Sequence, residues 1–151
     1  MPYWIVIVPR HPEHMPSSDN AQVAAKILEQ MVSGAEKIEV IKNENVQFFD
    51  CGGNFESVSC PRCRADIDTD WWSQTMSTDF DKEAGFLLNE YRLPCCSSSI
   101  SLNALDYSFH QAFGRFALSA MNPNIGEISV EAVVKIEAAL GCEVSVVYQH
   151  I

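Results

Sequence analysis

Hydrophobic residues near the N-terminus predict a strand, a helix and a hairpin. Residues 3–8 form a near-continuous apolar run, which is typical of a central strand covered on both faces. A proline-rich loop follows. Asp19 is then the predicted N-cap of a helix that ends before Gly34, since apolar residues recur there at helical spacing. Residues 37–42 alternate as a strand does, and residues 46–49 are predicted to pair with them across a turn.

The C-terminal third repeats this order of elements. Residues 112–121 alternate loosely enough to be a strand, residues 129–140 have the spacing of a mostly apolar helix, and residues 143–148 predict a closing strand. Gly141 is the expected C′ residue of the helix. Two units of strand, helix and strand predict a ferredoxin-like α+β two-layer sandwich, in which one antiparallel sheet is covered by two helices.

The middle of the chain has a different composition. Residues 51–98 contain cysteines, acidic residues and a pair of tryptophans, with a helix predicted over 70–84 and a short strand over 86–93 that returns to the main sheet. At 151 residues the chain is long enough for one domain with a small insertion. We therefore predict a single domain over residues 1–151, with residues 51–98 as an inserted, cysteine-rich and acidic subdomain.

The charge excludes some classes of partner. The formal net charge is −10, and residues 65–90 alone carry seven acids and one base. This field repels phosphate backbones and anionic lipid headgroups, so nucleic acid and membranes are unfavourable partners. The N-terminal apolar run is shorter than a signal peptide or a membrane span needs. We therefore expect a cytoplasmic protein, in which cysteines stay reduced.

The cysteines of the insertion predict a metal site. Cys60 and Cys63 have the C-x2-C spacing of a zinc knuckle, which directs two thiolates to one ion. Aligning Leu-Pro-Cys-Cys with Cys-Pro-Arg-Cys puts Cys96 at the second ligand position and leucine at the first, so Cys95 would supply the fourth thiolate. The predicted centre is a closed, structural Zn²⁺ site of Cys60, Cys63, Cys95 and Cys96.

Alternatives to this ligand set stay open. Cys51 is the substitute ligand if Cys95 does not bind, and the cysteines could instead be reduced thiols without a metal. We expect the insertion to need the ion, because its sequence is rich in acids and short of residues for a hydrophobic core.

The acidic residues of the insertion form the predicted partner surface. A calcium loop is disfavoured, since Trp71 and Ser77 occupy the positions that need glycine and glutamate. A tryptophan among acids is a common interface anchor, although both tryptophans could instead attach the insertion to the main sheet. The predicted contact residues are Asp66, Asp68, Asp70, Trp72, Asp79 and Asp81.

Enzyme chemistry has one weaker candidate. His11, Glu13 and His14 could act as metal ligands or as acid and base in a small metal-dependent hydrolase. The neighbouring prolines deny them the helix of an H-E-x-x-H site. A protein without catalytic activity is therefore the preferred reading.

Several motifs together resemble a protein family. The order CPRC, WW, PCC, SLNALDY, AFGRFALSAMNPN and a final LGC…Y-x-H-I, over residues 46–151, is similar to that of a family of small bacterial proteins. The resemblance implies zinc bound by the cysteine pairs and an immunity or antitoxin role, with no catalytic residues. Ser97 departs from the glycine expected after PCC. We therefore expect an immunity protein that covers a basic toxin with its acidic face.

Overall fold

A computed structural model describes residues 2–150. It contains ten strands, three α-helices and one turn of 3₁₀ helix within that range. The strands are β1 (Tyr3–Pro9), β2 (Lys37–Phe49), β3 (Val58–Ser59), β4 (Phe80–Asp81), β5 (Gly85–Phe86), β6 (Glu90–Arg92), β7 (Ser99–Ser101), β8 (Asp106–Tyr107), β9 (Ala112–Met121) and β10 (Val144–His150). The helices are α1 (Ser18–Met31), α2 (Thr69–Asp79) and α3 (Val130–Leu140).

The main sheet has six strands in the order β10-β1-β9-β2-β5-β4. All of its pairings are antiparallel except that of β2 with β5. The predicted central position of β1 is correct, since it lies between β10 and β9. The fold is therefore mixed α+β with a mostly antiparallel sheet, as predicted at that level.

The first core lies between this sheet and two helices. Leu28 of α1 and Ile136 of α3 are fully buried in one cluster with Ile5 and Ile7 of β1. Burying such side chains contributes about 1.5–3 kcal/mol each, so this cluster is the main source of stability for the sheet and its helices.

Both helices begin at a serine cap. Ser129 accepts a hydrogen bond from the N–H of Ala132, and Gly141 ends α3 in the left-handed conformation, as predicted. The N-cap of α1 is Ser17 and not Asp19, because the Ser17 hydroxyl accepts from the N–H of Asn20, the third residue of the helix. Asp19 lies in the first turn, where its charge favours the helix dipole.

The prediction of a hairpin turn at residues 43–45 is wrong. β2 runs without a turn from Lys37 to Phe49 and pairs with β9 on both sides of an irregularity between Lys42 and Gln47. Alternation in a sequence cannot distinguish a hairpin from one long bulged strand, since both preserve the local pattern.

The insertion is longer than predicted at its C-terminal end. The segment between β2 and β9 covers residues 50–111. Its strand β8 lies beyond the predicted end at residue 98 and pairs with β3 near the start of the segment. Its helix α2 ends at Asp79, several residues earlier than expected, and β5 rather than residues 86–93 as a whole joins the main sheet. β6 pairs instead with β7 in a separate hairpin.

Candidate metal centre

The insertion has a hydrophobic cluster of its own, contrary to the sequence-based expectation. Buried members include Val58, Ile67, Leu93 and Ile100, and Phe113 of β9 continues the cluster into the main sheet. These residues come from the strands and turns beside both cysteine pairs. The cluster therefore gives the two pairs a common base.

The first cysteine pair lies at the tip of a small hairpin. The N–H of Cys60 donates to the carbonyl of Ala65 at 2.9 Å, and the N–H of Arg64 donates back to the carbonyl of Cys60 at 2.9 Å. Arg64 has φ of 69°, a left-handed conformation that costs about 1–2 kcal/mol for a residue other than glycine. The result is a tight turn that presents both thiols on one side.

The second pair lies in a turn with the same hydrogen bonds. The N–H of Leu93 donates to the carbonyl of Ser98 at 2.9 Å, and the N–H of Ser97 donates to the carbonyl of Leu93 at 3.1 Å. Ser97, at φ of 61°, occupies the place of Arg64. The predicted alignment is therefore matched by the backbone: Leu93 stands where Cys60 stands, and Cys96 where Cys63 stands.

The two turns bring all four predicted cysteines together. The Sγ atoms of Cys60, Cys63, Cys95 and Cys96 all lie within 4.8 Å of one another. Cys60 Sγ is 3.7 Å from Cys96 Sγ, which is 3.8 Å from Cys95 Sγ. Tetrahedral bonds of about 2.3 Å from one ion to four sulfurs place the sulfurs about 3.8 Å apart. The quartet is therefore close enough to hold a metal ion.

Cys51 does not belong to this group. It is fully buried in a separate cluster with Val8 and Val147, and its N–H donates to the side-chain oxygen of Gln111. Burial raises the pKa of the Cys51 thiol, which also favours a packing role.

Hydrogen bonds lower the pKa of two thiols in the quartet. Burial acts to raise the pKa of Cys60, but the backbone N–H groups of Cys63 and Arg62, at 3.4 and 3.3 Å from its sulfur, outweigh it and lower the pKa. The hydroxyl of Ser98, followed by its backbone N–H, lowers the pKa of Cys96 to about 6. Metals bind thiolates, so these two groups favour a bound cation.

Cys95 differs from its neighbours. Local desolvation, together with contacts to the sulfurs of Cys63, Cys60 and Cys96, raises the pKa of Cys95 to about 12. Its side chain occupies the place that Arg62 has in the first turn, which is not a ligand position. The fourth thiol therefore enters the quartet from outside the repeated pattern.

Two of the predicted partner contacts are packing residues. Trp72 is half-buried; its ring stacks on Phe55 at 5.1 Å between centroids, and its N–H donates to the hydroxyl of Tyr107 at 3.1 Å. Asp79 is fully buried and accepts hydrogen bonds from the chain that follows α2. The alternative in which the tryptophans attach the insertion to the main sheet is therefore the one observed, since Trp71 packs on the same cluster.

The other predicted contacts lie on the surface. Asp66, Asp68, Asp70 and Asp81 are all exposed. Asp68 is also the N-cap of α2, accepting from the N–H of Asp70. The sequence does not indicate that Asp79 is buried, because an acidic residue within an acidic segment is expected to face solvent.

The histidine loop between β1 and α1 shows no catalytic arrangement. His11 and Glu13 are exposed, and the contact of Glu13 with His11 uses its backbone N–H rather than its carboxylate. Within residues 2–150, no hydrogen bond joins the side chains of His11, Glu13 and His14, and the one group of metal-ligating side chains found is the cysteine quartet. The loop therefore gives no geometric support to a hydrolase.

Among the described residues, no helix is long and apolar enough to cross a membrane. Comparisons with protein-family models, with curated proteins and with solved structures found no match for this chain.

Proposed function

We propose that this chain is a binding protein of the immunity type, in which a structural zinc ion holds an acidic insertion on a ferredoxin-like scaffold. The observation that supports this most directly is the quartet of thiols within 4.8 Å at the tips of two turns, in an insertion whose residues 65–90 carry seven acids and one base. A Zn²⁺ ion with four thiolates has no open position for a substrate, which suits a structural role.

The scaffold proposal rests on strand order. β1, α1 and β2 form one unit, and β9, α3 and β10 form the other, with β9 between the strands of the first unit and β1 between those of the second. Such mutually split β-α-β units are the arrangement of a ferredoxin-like sandwich.

The partner surface is acidic with an apolar part. Asp66, Asp68 and Asp70 are exposed at the start of α2, and Asp81 lies beyond its end. Beside Asp81, Phe80 is 43% exposed and Leu87 51% exposed, and these supply the apolar contact area that Trp72 does not. Opposite charge raises association rates by about 10- to 1000-fold, so a basic toxin in the cytoplasm is the partner that this surface favours.

The test is capture from a lysate of the source cell at low salt. We expect the wild-type protein to retain a basic protein that Asp66→Asn/Asp68→Asn/Asp70→Asn does not retain. The matched control is Glu29→Gln/Glu127→Gln/Glu131→Gln, which removes the same charge from exposed positions outside the insertion. Equal capture by both triple variants, or no basic protein in any eluate, would contradict the proposal.

A further inference from the structure

Three sulfurs of the quartet occupy a ligand position of the repeated turn, and one does not. Cys60 holds the first ligand position of its turn, whereas Cys63 and Cys96 hold the second position of theirs. The first position of the second turn belongs to Leu93, whose side chain is 1% exposed in the hydrophobic cluster. The repeated backbone therefore positions three thiolates, and the fourth must come from elsewhere.

Cys95 is held less firmly than Cys60, the buried ligand of the first turn. Two backbone N–H groups donate to Cys60 Sγ, whereas no N–H or hydroxyl among residues 2–150 donates to Cys95 Sγ. Cys95 Sγ instead contacts the sulfur of Cys96, its neighbour in sequence, 3.8 Å away. Cys95 is also exposed, so solvent and small molecules reach it.

We infer that Cys95 is an exchangeable ligand, whose place at the metal a small thiol can take. This inference rests on the metal part of the proposed function. In the exchange, the bond from the ion to Cys95 Sγ breaks as a bond to the incoming sulfur forms. The proton released by the incoming thiol passes to the Cys95 thiolate, so charge and electrons balance and no oxidant is needed.

The exchangeable position distinguishes this centre from a fully closed site. Cys60, Cys63 and Cys96 keep the ion in place while the fourth position turns over. A centre of this kind takes up and releases its metal in response to the thiols around it. The insertion would then be stabilised or loosened according to their concentration.

The test uses Co²⁺ as a spectroscopic substitute for zinc. The sulfur-to-cobalt charge-transfer band reports how many thiolates bind. We expect Cys95→Ala to keep Co²⁺ with an affinity no more than about 10-fold below wild type, with a three-thiolate spectrum. Adding 2-mercaptoethanol should restore the four-thiolate spectrum in this variant.

Cys63→Ala is the matched control. Cys63 is also exposed and also lacks a recorded N–H donor, but it lies at a repeated ligand position. We expect Cys63→Ala to lose Co²⁺ affinity by about 100-fold or more and not to recover with 2-mercaptoethanol. Circular dichroism checks that both variants keep their folds.

A second variant tests the positional argument directly. Leu93→Cys/Cys95→Ala places the fourth thiol at the first position of the second turn, as in the first turn. We expect it to transfer metal to a chromophoric chelator about 10- to 100-fold more slowly than wild type, because its new ligand lies where backbone N–H groups can donate to it.

The outcomes separate the two proposals. If wild type binds no Co²⁺, the metal part of the proposed function fails and this inference fails with it. If wild type gives a four-thiolate spectrum but Cys95→Ala behaves as Cys63→Ala does, or does not respond to the thiol, the exchangeable ligand alone is refuted.

Discussion

The buried carboxylate of Asp79 organises the chain that follows α2. One oxygen accepts from the N–H of Leu88 at 2.7 Å, and the other accepts from the N–H of Asn89 at 3.0 Å and from the hydroxyl of Tyr91 at 2.8 Å. Burial, followed by the hydrogen bond with Asp79, raises the pKa of Tyr91, so the phenol stays a donor at neutral pH. These bonds fix the path of the chain between α2 and β6, which precedes the second cysteine turn.

We predict that Asp79→Asn destabilises the protein by about 2–3 kcal/mol. The amide nitrogen cannot accept the bonds that one carboxylate oxygen accepts, and buried donors without partners are costly. Urea unfolding followed by circular dichroism measures the change. The control is Asp81→Asn, at an exposed carboxylate that accepts two turn N–H groups, where we expect a loss below about 1 kcal/mol. Equal losses in the two variants would refute the role of burial.

The sequence predicts residue roles where the chemistry is local. The turn around Cys60 and Cys63 depends on a few consecutive residues, and the shared proline and second cysteine were enough to align the second turn with it. The roles of Asp79 and Trp72 depend on their hydrogen bonds with Tyr91 and Tyr107, respectively. Spacing along the sequence does not reveal these contacts.

At the scale of elements, the insertion joins the main sheet at the irregular part of β2. From Lys42 to Gln47 the strand advances five residues while β9 advances two, so extra residues bulge out. Val46, within the bulge, pairs with Gly85 of β5, and the side chain of Asn45 donates to the carbonyl of Glu83 at 2.7 Å. The Asn-rich stretch that predicted a turn is thus the attachment point of the insertion.

We predict that Gly85→Ala weakens this attachment by about 2–3 kcal/mol. Gly85 has φ of 75°, and an added Cβ would lie 2.6 Å from the carbonyl oxygen of Val46. Both the left-handed backbone and the clash oppose alanine. The free energy of unfolding from urea titration gives the change. Gly126→Ala is the matched control, because nothing lies within 4 Å of its Cβ and its φ is ordinary; a loss as large there would contradict the argument.

Elements with strong local signals were predicted best. The strand over 112–121 has the observed bounds, and α3 begins one residue after its predicted start because Ser129 is its cap. The two-residue strands β3, β4 and β8 were missed, because strands this short leave no periodicity, and β5 overlaps the predicted strand over 86–93 only at Phe86. The strand pairing within the insertion could therefore not be predicted from the sequence, whereas the grouping of its cysteine pairs could.

At the scale of the whole molecule, stability is divided among three hydrophobic clusters, and two of them bear on the metal. The cluster under α1 and α3 contains no residue of the insertion, and the cluster beside the cysteine turns contains Val46 and Phe113 of the main sheet. A bound metal ion would link only the two cysteine turns, which lie beside the second cluster. Its removal should therefore loosen the cysteine turns and spare the main sheet.

We predict that stripping metal from the wild-type protein with a chelator accelerates amide hydrogen exchange locally. Amides in β6, in β7 and around Cys60 should exchange at least about 100-fold faster, because the ion no longer links the two cysteine turns and they open. Amides in β1 and β9 should change by less than about 3-fold, since their cluster is intact.

Two variants decide whether the metal causes this effect. Cys63→Ser should show the fast exchange without any chelator, whereas Cys142→Ser, at a half-buried thiol outside the quartet, should behave as wild type does. Elemental analysis should find about one zinc per chain in wild type and Cys142→Ser, and none in Cys63→Ser. Unchanged exchange in metal-free wild type would mean that the hydrophobic cluster alone holds the turns, and the ion would have no structural role. Exchange that rose throughout β1 and β9 would mean that the two clusters unfold as one cooperative unit.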